Sequence, residues 1–348
     1  MRAFAALLVF GFHLNIPYIA ALTGQGRVGV SFFFVLSGLL LGLTWHPGVS
    51  AAAFYRRRAA RIYPAYIVAL IAGAVLSYTL QTGPRDPVGG VLSVVLLQAW
   101  VPDGGVYFAW NSVSWSLSVE AFFYLLFPFI APLVLSLRPR RLYVLRGVCF
   151  GVVVMLGLAA ALLLPHTYEQ PNNFAAWVTY IFPVSRLAEF VIGISLVPLV
   201  RGNVIPVRKW QATALLGAAY LLAALNPTGL GLAAITLVPL CIFLVRFAQA
   251  DAAGETSVLH HDWLVSLGTA SYCFYLVHQL VIRLENAYVA PIGGVVHGLG
   301  MVAALLISVA LAYALHFGIE KRMDRMLNGR TLPTILNEDL AQSAPARR

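Results

Sequence analysis

The sequence predicts an all-α, polytopic membrane bundle of about ten transmembrane helices, with a short re-entrant or interfacial segment near 89–101. Three observations carry this. First, 60% of the 348 residues are hydrophobic and only 10% are charged. A soluble domain has about 25% charged residues, so this chain has too little polar surface to cover a soluble core. Second, the mean hydropathy is +0.83. Third, the apolar residues are gathered into runs long enough, or nearly so, to cross a bilayer as helices, which takes about 20 residues each. The same composition excludes disorder, and neither a sustained heptad nor a Gly-X-Y repeat is present.

The runs fall roughly at 3–22, 27–45, 65–82, 114–136, 147–165, 177–200, 209–225, 229–247, 265–286 and 298–318. The run at 89–101 is too short to cross and suits a re-entrant or interfacial position. Loop charge supports that reading. The basic residues lie in 46–64 (Arg56, Arg57, Arg58, Arg61), 137–146 (Arg138, Arg140, Arg141, Arg146), 201–209 (Arg201, Arg208, Lys209) and the tail (Lys321, Arg322, Arg325, Arg330). Positive loops stay cytoplasmic, and all four stretches share one side only if 89–101 does not cross. Ten helices then place both termini in the cytoplasm, in a multi-pass protein of the cell membrane. The loops 82–113 and 166–176 fall outside.

The net charge of +10 is therefore a matter of topology, and no nucleic-acid partner is expected, because the basic residues are dispersed among loops. Cys149, Cys241 and Cys273 all lie in apolar runs and read as small packed hydrophobes, with no disulfide, metal or redox role. No cleavable signal peptide is evident. A single membrane domain spans 1–320, followed at 321–348 by a basic and then disordered cytoplasmic tail, polar from about residue 331. No repeat between halves supports an inverted-repeat transporter.

Ionisable groups inside apolar runs cost roughly 2.5–3.5 kcal/mol and usually face the bundle interior. Here they are His13, Glu120, Arg186, Glu189, His278 and Glu285. Arg2 and His13 are eleven residues apart, which leaves about 20° of rotation and about 16 Å of rise, so they share one helix stripe. A cation at the cytoplasmic mouth below a deep imidazole suits a long ligand with an anionic head and a reactive far end, the shape of a coenzyme A thioester. The bland alternative is a buried histidine bonded to a backbone carbonyl, with Arg2 as a flanking anchor.

In Gly29-Val30-Ser31-Phe32-Phe33-Phe34-Val35-Leu36-Ser37-Gly38 the small residues allow close helix contact. Arg58 and Arg61 share a helix face, and their guanidinium forks suit phosphate as well as topology anchoring. Glu120, with Tyr124 one turn on, is expected near the outer end of its helix. Arg186 and Glu189, three residues apart, read first as a mutually neutralising pair. His278 is a second site histidine or a packing hydrogen bonder. The loop cluster His260-His261-Asp262 lacks ligands at metal-binding spacing.

Six motifs in order resemble the membrane-bound acyltransferase-3 family: Arg2 with His13, the stretch 29–38, Arg58-Ala59-Ala60-Arg61-Ile62-Tyr63-Pro64, Trp115-Ser116-Leu117-Ser118-Val119-Glu120, Arg186 through Gly193, and Ser271 through His278. They cover most of the chain. Family members usually carry several residues before the first arginine, which is residue 2 here and leaves the completeness of the N-terminus open. The resemblance implies a ten-helix enzyme that moves an acyl group, often acetyl, from cytoplasmic acyl-CoA to a hydroxyl. Acceptors would be sugars of surface polysaccharides or peptidoglycan, or hydroxyls of macrolide-type metabolites. Larger relatives carry an extra extracytoplasmic domain, and its lack here favours a stand-alone enzyme.

On this reading His13 is the general base, with Glu120 and Arg186 as catalytic partners. Arg2, Arg57, Arg58 and Arg61 hold the acyl-CoA phosphates, and Tyr124, Glu189 and His278 support the site or the acceptor. Acyl-CoA is a co-substrate, with no tightly bound cofactor and no metal. The rival class is a transporter or flippase, which would move its substrate without consuming acyl-CoA.

Overall fold

The computed structural model describes residues 1–14, 16, 20–81, 83–163, 174–225 and 234–328. The described residues are mostly helical and contain no strand. The longer helices are α1 (Arg2–Leu14), α2 (Val28–Leu43), α3 (Ala51–Thr79), α4 (Pro87–Val94), α5 (Trp115–Leu135) and α6 (Pro139–Leu163). They continue as α7 (Pro183–Ser195), α8 (Lys209–Leu225), α9 (Ala234–Ala252), α10 (Asp262–Tyr288), α11 (Gly294–Leu315) and α12 (Lys321–Asn328). Among the described residues eight helical stretches are long and apolar enough to cross a membrane. The apolar helix Arg2–Leu14 is shorter. With α8, 17 residues long, these stand where the ten expected spans stand. The chain is a multi-pass membrane protein.

Helix starts differ from the reading of the sequence. The basic stretch 46–64 is mostly the first half of α3. Ser50 caps the helix by accepting from the Ala53 amide at 3.2 Å, and the alanines and arginines that follow are good helix formers. Pro64 is accommodated within this 29-residue helix. Likewise Arg140, Arg141 and Arg146 sit inside α6, not in a loop before it. The basic part of the expected tail is also structured: α12 is a helix that packs against α3. The remainder, expected to be disordered from about 331, lies outside the described residues.

The segment near 89–101 does not cross. It is the eight-residue α4, started by an Asp86 cap on the Gly89 amide, followed by a short 3-10 turn at Gln98–Trp100. It dips into the bundle. Tyr66, fifteen residues along α3, donates to the Ser93 carbonyl at 2.6 Å, and Tyr63 donates to Val94 at 2.8 Å. The backbone exposed by this irregular stretch is met by protein: Ser118 donates to the Leu96 carbonyl at 2.6 Å and Trp177 to that of Ala99 at 2.9 Å. Non-helical backbone at membrane depth is tolerated only where such partners exist.

Close helix contact depends on small residues. A β-carbon on Gly38 would lie 2.1 Å from the Phe190 carbonyl oxygen, and one on Gly193 would lie 2.1 Å from that of Val35. These two glycines let α2 and α7 touch backbone to backbone, and Gly29 does the same for α2 against Ala5 of α1. Aromatic packing fills the interior, with Phe123 stacked on Phe190 at 4.8 Å and Phe54 on Phe127 at 5.0 Å.

Candidate active site

Three groups of polar side chains interrupt this apolar interior. The deepest joins α1 to α10. His13 Nδ1 lies 2.9 Å from the Val9 carbonyl and 3.2 Å from His278 Nε2. His278 Nδ1 lies 2.9 Å from the Tyr275 carbonyl. A carbonyl oxygen only accepts, so Nδ1 of each ring carries the proton. His278 Nε2 is then a lone pair that accepts from His13 Nδ1–H, a bond shared with Val9. The consequence is specific. In the neutral ring His13 Nε2 is the unprotonated nitrogen, and it has no hydrogen-bond partner among the described residues. Phe274 stacks on His278 at 5.7 Å, and Phe10 and Tyr275 flank the same ring. Both imidazoles are thus held in fixed orientation among aromatic rings.

The second group lies toward the end of the bundle that carries the basic segments. Glu120 Oε1 accepts from Ser37 at 3.2 Å and from the Tyr124 hydroxyl. The Arg58 guanidinium sits over the rings of Phe54 and Tyr124, at 5.7 and 5.9 Å. Arg61, Glu120, Tyr124 and Glu320 are all within electrostatic reach of Arg2. Arg57 is exposed beside this group. Nε of Arg2 and Nε of Arg58 are buried without a hydrogen-bond partner among the described residues. Buried polar groups are normally paired, so the cluster holds more cationic donor capacity than its own carboxylates use.

This geometry corrects the expected position of Glu120. Ser37 lies six residues, about 9 Å, from the basic end of α2, and Arg58 lies seven residues, about 10 Å, from that of α3. Glu120 sits at their depth, not at the opposite mouth. The reason is the re-entrant segment. Because residues 84–114 fold back into the bundle, with Asn111 and Ser114 fully buried, α5 starts at mid-depth. Its second turn already faces the basic end.

The third group is Arg186 with Glu189 and Ser31. Arg186 Nη2 is 3.0 Å from Glu189 Oε2 and 2.9 Å from Ser31 Oγ, and its guanidinium lies over the Phe34 and Tyr180 rings. These contacts tie α7 to α2. They do not bring Arg186 or Glu189 to His13 or to Glu120.

The structure adds residues that the sequence had not singled out. Glu320, buried after a π-helical turn at His316–Glu320, is a hub. It lies 3.9 Å from Arg61, and its Oε2 accepts from Cys273 Sγ at 3.1 Å and from His316 Nδ1 at 2.8 Å. An acidic residue closing the last apolar run, directly before Lys321 and Arg322, was the available signal. Ser37 and Tyr275 are similar: Tyr275 joins the histidine pair to Ser116 on α5 through a 2.7 Å bond. Glu285, noted in the sequence as a buried ionisable group, pairs with His297 at 2.7 Å near the far end of α10.

The comparisons with known proteins agree with this picture. A family model described as an acyltransferase domain matches residues 1–317. Acyltransferase MdmB of Streptomyces mycarofaciens is 31% identical over 98% of this chain and 94% of its own length. O-acetyltransferase OatA of Staphylococcus aureus is 28% identical over 45% of the chain, which matches only 28% of that longer protein. A putative membrane-bound transacylase, BcsY of Komagataeibacter xylinus, is 33% identical over 42% of the chain and 40% of its own length. No solved structure matches.

Proposed function

The chain belongs to the acyltransferase-3 family of membrane acyltransferases, and from that premise we propose that it transfers an acyl group, acetyl in the first instance, from acyl-CoA to a hydroxyl. The acceptor is a sugar, a surface glycan or a secondary metabolite. The basic end of the bundle faces the cytoplasm of a cell-membrane protein, with both termini on that side. Acyl-CoA approaches there, and Arg2, Arg57, Arg58 and Arg61 bind its phosphates through charge-assisted bonds. The pantetheine arm follows α1 and brings the thioester to His13, about 16 Å along the helix from Arg2.

His13 Nε2 takes the proton of the acceptor hydroxyl as its oxygen attacks the thioester carbonyl. The carbon–sulfur bond breaks, the thiolate of coenzyme A leaves, and it recovers the proton from His13. The products are the O-acyl ester and free CoA. His278 holds the reactive tautomer of His13. Glu120, bonded to Ser37 and Tyr124, balances the arginine cluster and orders it around the donor, while Arg186 and Glu189 fix the helix that walls the site. The single observation that supports this reading is the unpartnered Nε2 of His13, set above arginines with unused buried donors.

Membranes from cells with and without the chain, given acetyl-CoA labelled in the acetyl group, test it. Chain-dependent free CoA should appear in step with label in a hydroxyl-bearing product. Label movement with no CoA release would mark a transporter and end the proposal.

A further inference from the structure

The two carboxylate oxygens of Glu320 are used differently. Oε1 faces Arg61 at 3.9 Å. On Oε2 converge Cys273 Sγ, at 3.1 Å, and His316 Nδ1, at 2.8 Å. Cys273 and Glu320 are buried, and the donor atoms of the three residues all lie within 4.8 Å of one another. His316 and Glu320 open and close the π-helical turn between α11 and α12, and such turns are frequent at functional sites. Cys273 reaches the same point from α10. Acyl transfer by His13 uses none of the three. Nothing local in the sequence marks the group, since Cys273 and Glu320 are 47 residues apart.

We propose that Cys273, His316 and Glu320 bind one zinc ion, which fastens α10 to the turn between α11 and α12. The donor set selects the class. A thiolate, an imidazole and a carboxylate together suit zinc, whereas magnesium and calcium take oxygen donors. The spacing is close to what the ion requires. With zinc bonds of about 2.0–2.3 Å at tetrahedral angles, ligand atoms stand about 3.4–3.6 Å apart. The two contacts on Oε2 therefore open by about half an ångström each, as the ion replaces the protons that bridge them. The exchange balances. The Cys273 thiol gives up its proton to solvent, and a neutral His316 binds through Nδ1 with its proton moved to Nε2. The thiolate and the carboxylate cancel the charge of the ion. Arg61 and Arg2, the cations within reach of Glu320, then face a neutral centre and not a further positive one. Three protein ligands leave the fourth position to water. The partly exposed side chains of Arg61 and His316 give the ion a path from the basic end.

The test uses the full chain in detergent, purified without a histidine tag and stripped of metal with EDTA. It is titrated with cobalt(II), followed by absorbance, and with zinc(II), followed by elemental analysis and thermal unfolding. The expected result is one ion per chain and a thiolate-to-cobalt charge-transfer band that zinc displaces. Zinc should also raise the melting temperature, because the assembled site exists only in the folded chain. The band should be lost in Cys273→Ser and kept in the double variant Cys149→Ser with Cys241→Ser, where Cys273 is the remaining thiol. His316→Gln should lose the zinc-dependent rise in melting temperature. If neither Cys273→Ser nor His316→Gln elutes as a folded species, the double serine variant decides, and a band retained there keeps the site. The proposal is overturned if less than one ion binds per chain, or if cobalt binds with no thiolate band, as it would to the exposed His260 and His261. It is equally overturned if the band survives Cys273→Ser or vanishes with Cys149 and Cys241, or if the zinc-dependent rise is absent or persists in His316→Gln. The three residues would then be a hydrogen-bonded clasp only.

Discussion

Two buried polar pairs sit in the same apolar bundle, and they differ in what they leave over. Arg186 and Glu189 form an ion pair within one helix, and Ser31 and two aromatic rings also meet the guanidinium, while Arg186 Nε and the Glu189 oxygens are buried without a hydrogen-bond partner among the described residues. That pair balances its own charge and ties α7 to α2. His13 and His278 are 265 residues apart in sequence, and their mutual bond together with the bonds to the Val9 and Tyr275 carbonyls occupies three ring nitrogens and leaves the fourth open. A pair of opposite charges that neutralise each other is suited to holding helices together. One that orients a free lone pair is equipped for chemistry.

The contrast predicts opposite responses to mutation. His13→Ala should lower acyl transfer by about 10²–10⁴-fold, the usual contribution of a general base, while thermal unfolding in detergent changes little. If the rate and the melting temperature fall together, the two pairs are alike and the contrast fails. Glu189→Ala should act the other way, costing about 3–5 kcal/mol of stability because it strands a buried guanidinium. Replacing both partners, Arg186→Met with Glu189→Leu, should recover much of that loss, and activity should return with the fold. Failure of activity to return would move Arg186 into the chemistry.

Smaller effects sharpen the same comparison. His278→Ala should slow transfer about tenfold, since one orienting hydrogen bond is worth about 0.5–1.5 kcal/mol. A loss equal to that of His13→Ala would mean that the proton resides on both rings. Arg58→Ala with Arg61→Ala should raise the KM for acetyl-CoA by about tenfold, two charge-assisted contacts being worth roughly 1.5–3 kcal/mol each before solvent competes. Unchanged CoA binding would reduce these arginines to topology anchors.

The smallest effect is at Glu255, in the loop between α9 and α10. Hydrogen bonds from Lys209 and Arg246 hold its carboxyl below the ordinary value of 4.5. A depressed folded value means that its support is present above 4.5 and is lost as pH falls through the lowered value. Glu255→Gln should therefore flatten the acid side of the curve of melting temperature against pH and leave transfer at neutral pH unchanged.

Much of this was legible in the residues. The apolar runs gave the helices, loop charge kept 89–101 from crossing, and the Arg186–Glu189 spacing gave the ion pair. The stripe from Arg2 to His13 follows from helix geometry alone. What was not legible depended on chain reversal. Glu120 looked peripheral because its distance from a loop was counted along the sequence, and a re-entrant segment shortens the true depth. The meeting of His13 with His278 is set by how α1 packs on α10, which no local pattern encodes. Glu320 escaped notice for a related reason: its partners Arg61, Cys273 and His316 come from different helices.

The open nitrogen of His13 can be tested directly. Diethyl pyrocarbonate acylates neutral imidazole at an accessible nitrogen, and peptide mass mapping locates the adduct. The account predicts that His13 is modified, that activity falls in proportion, and that coenzyme A slows both. A His13 that stays unmodified while activity disappears, or one fully modified in an enzyme that still transfers acetyl groups, would contradict it.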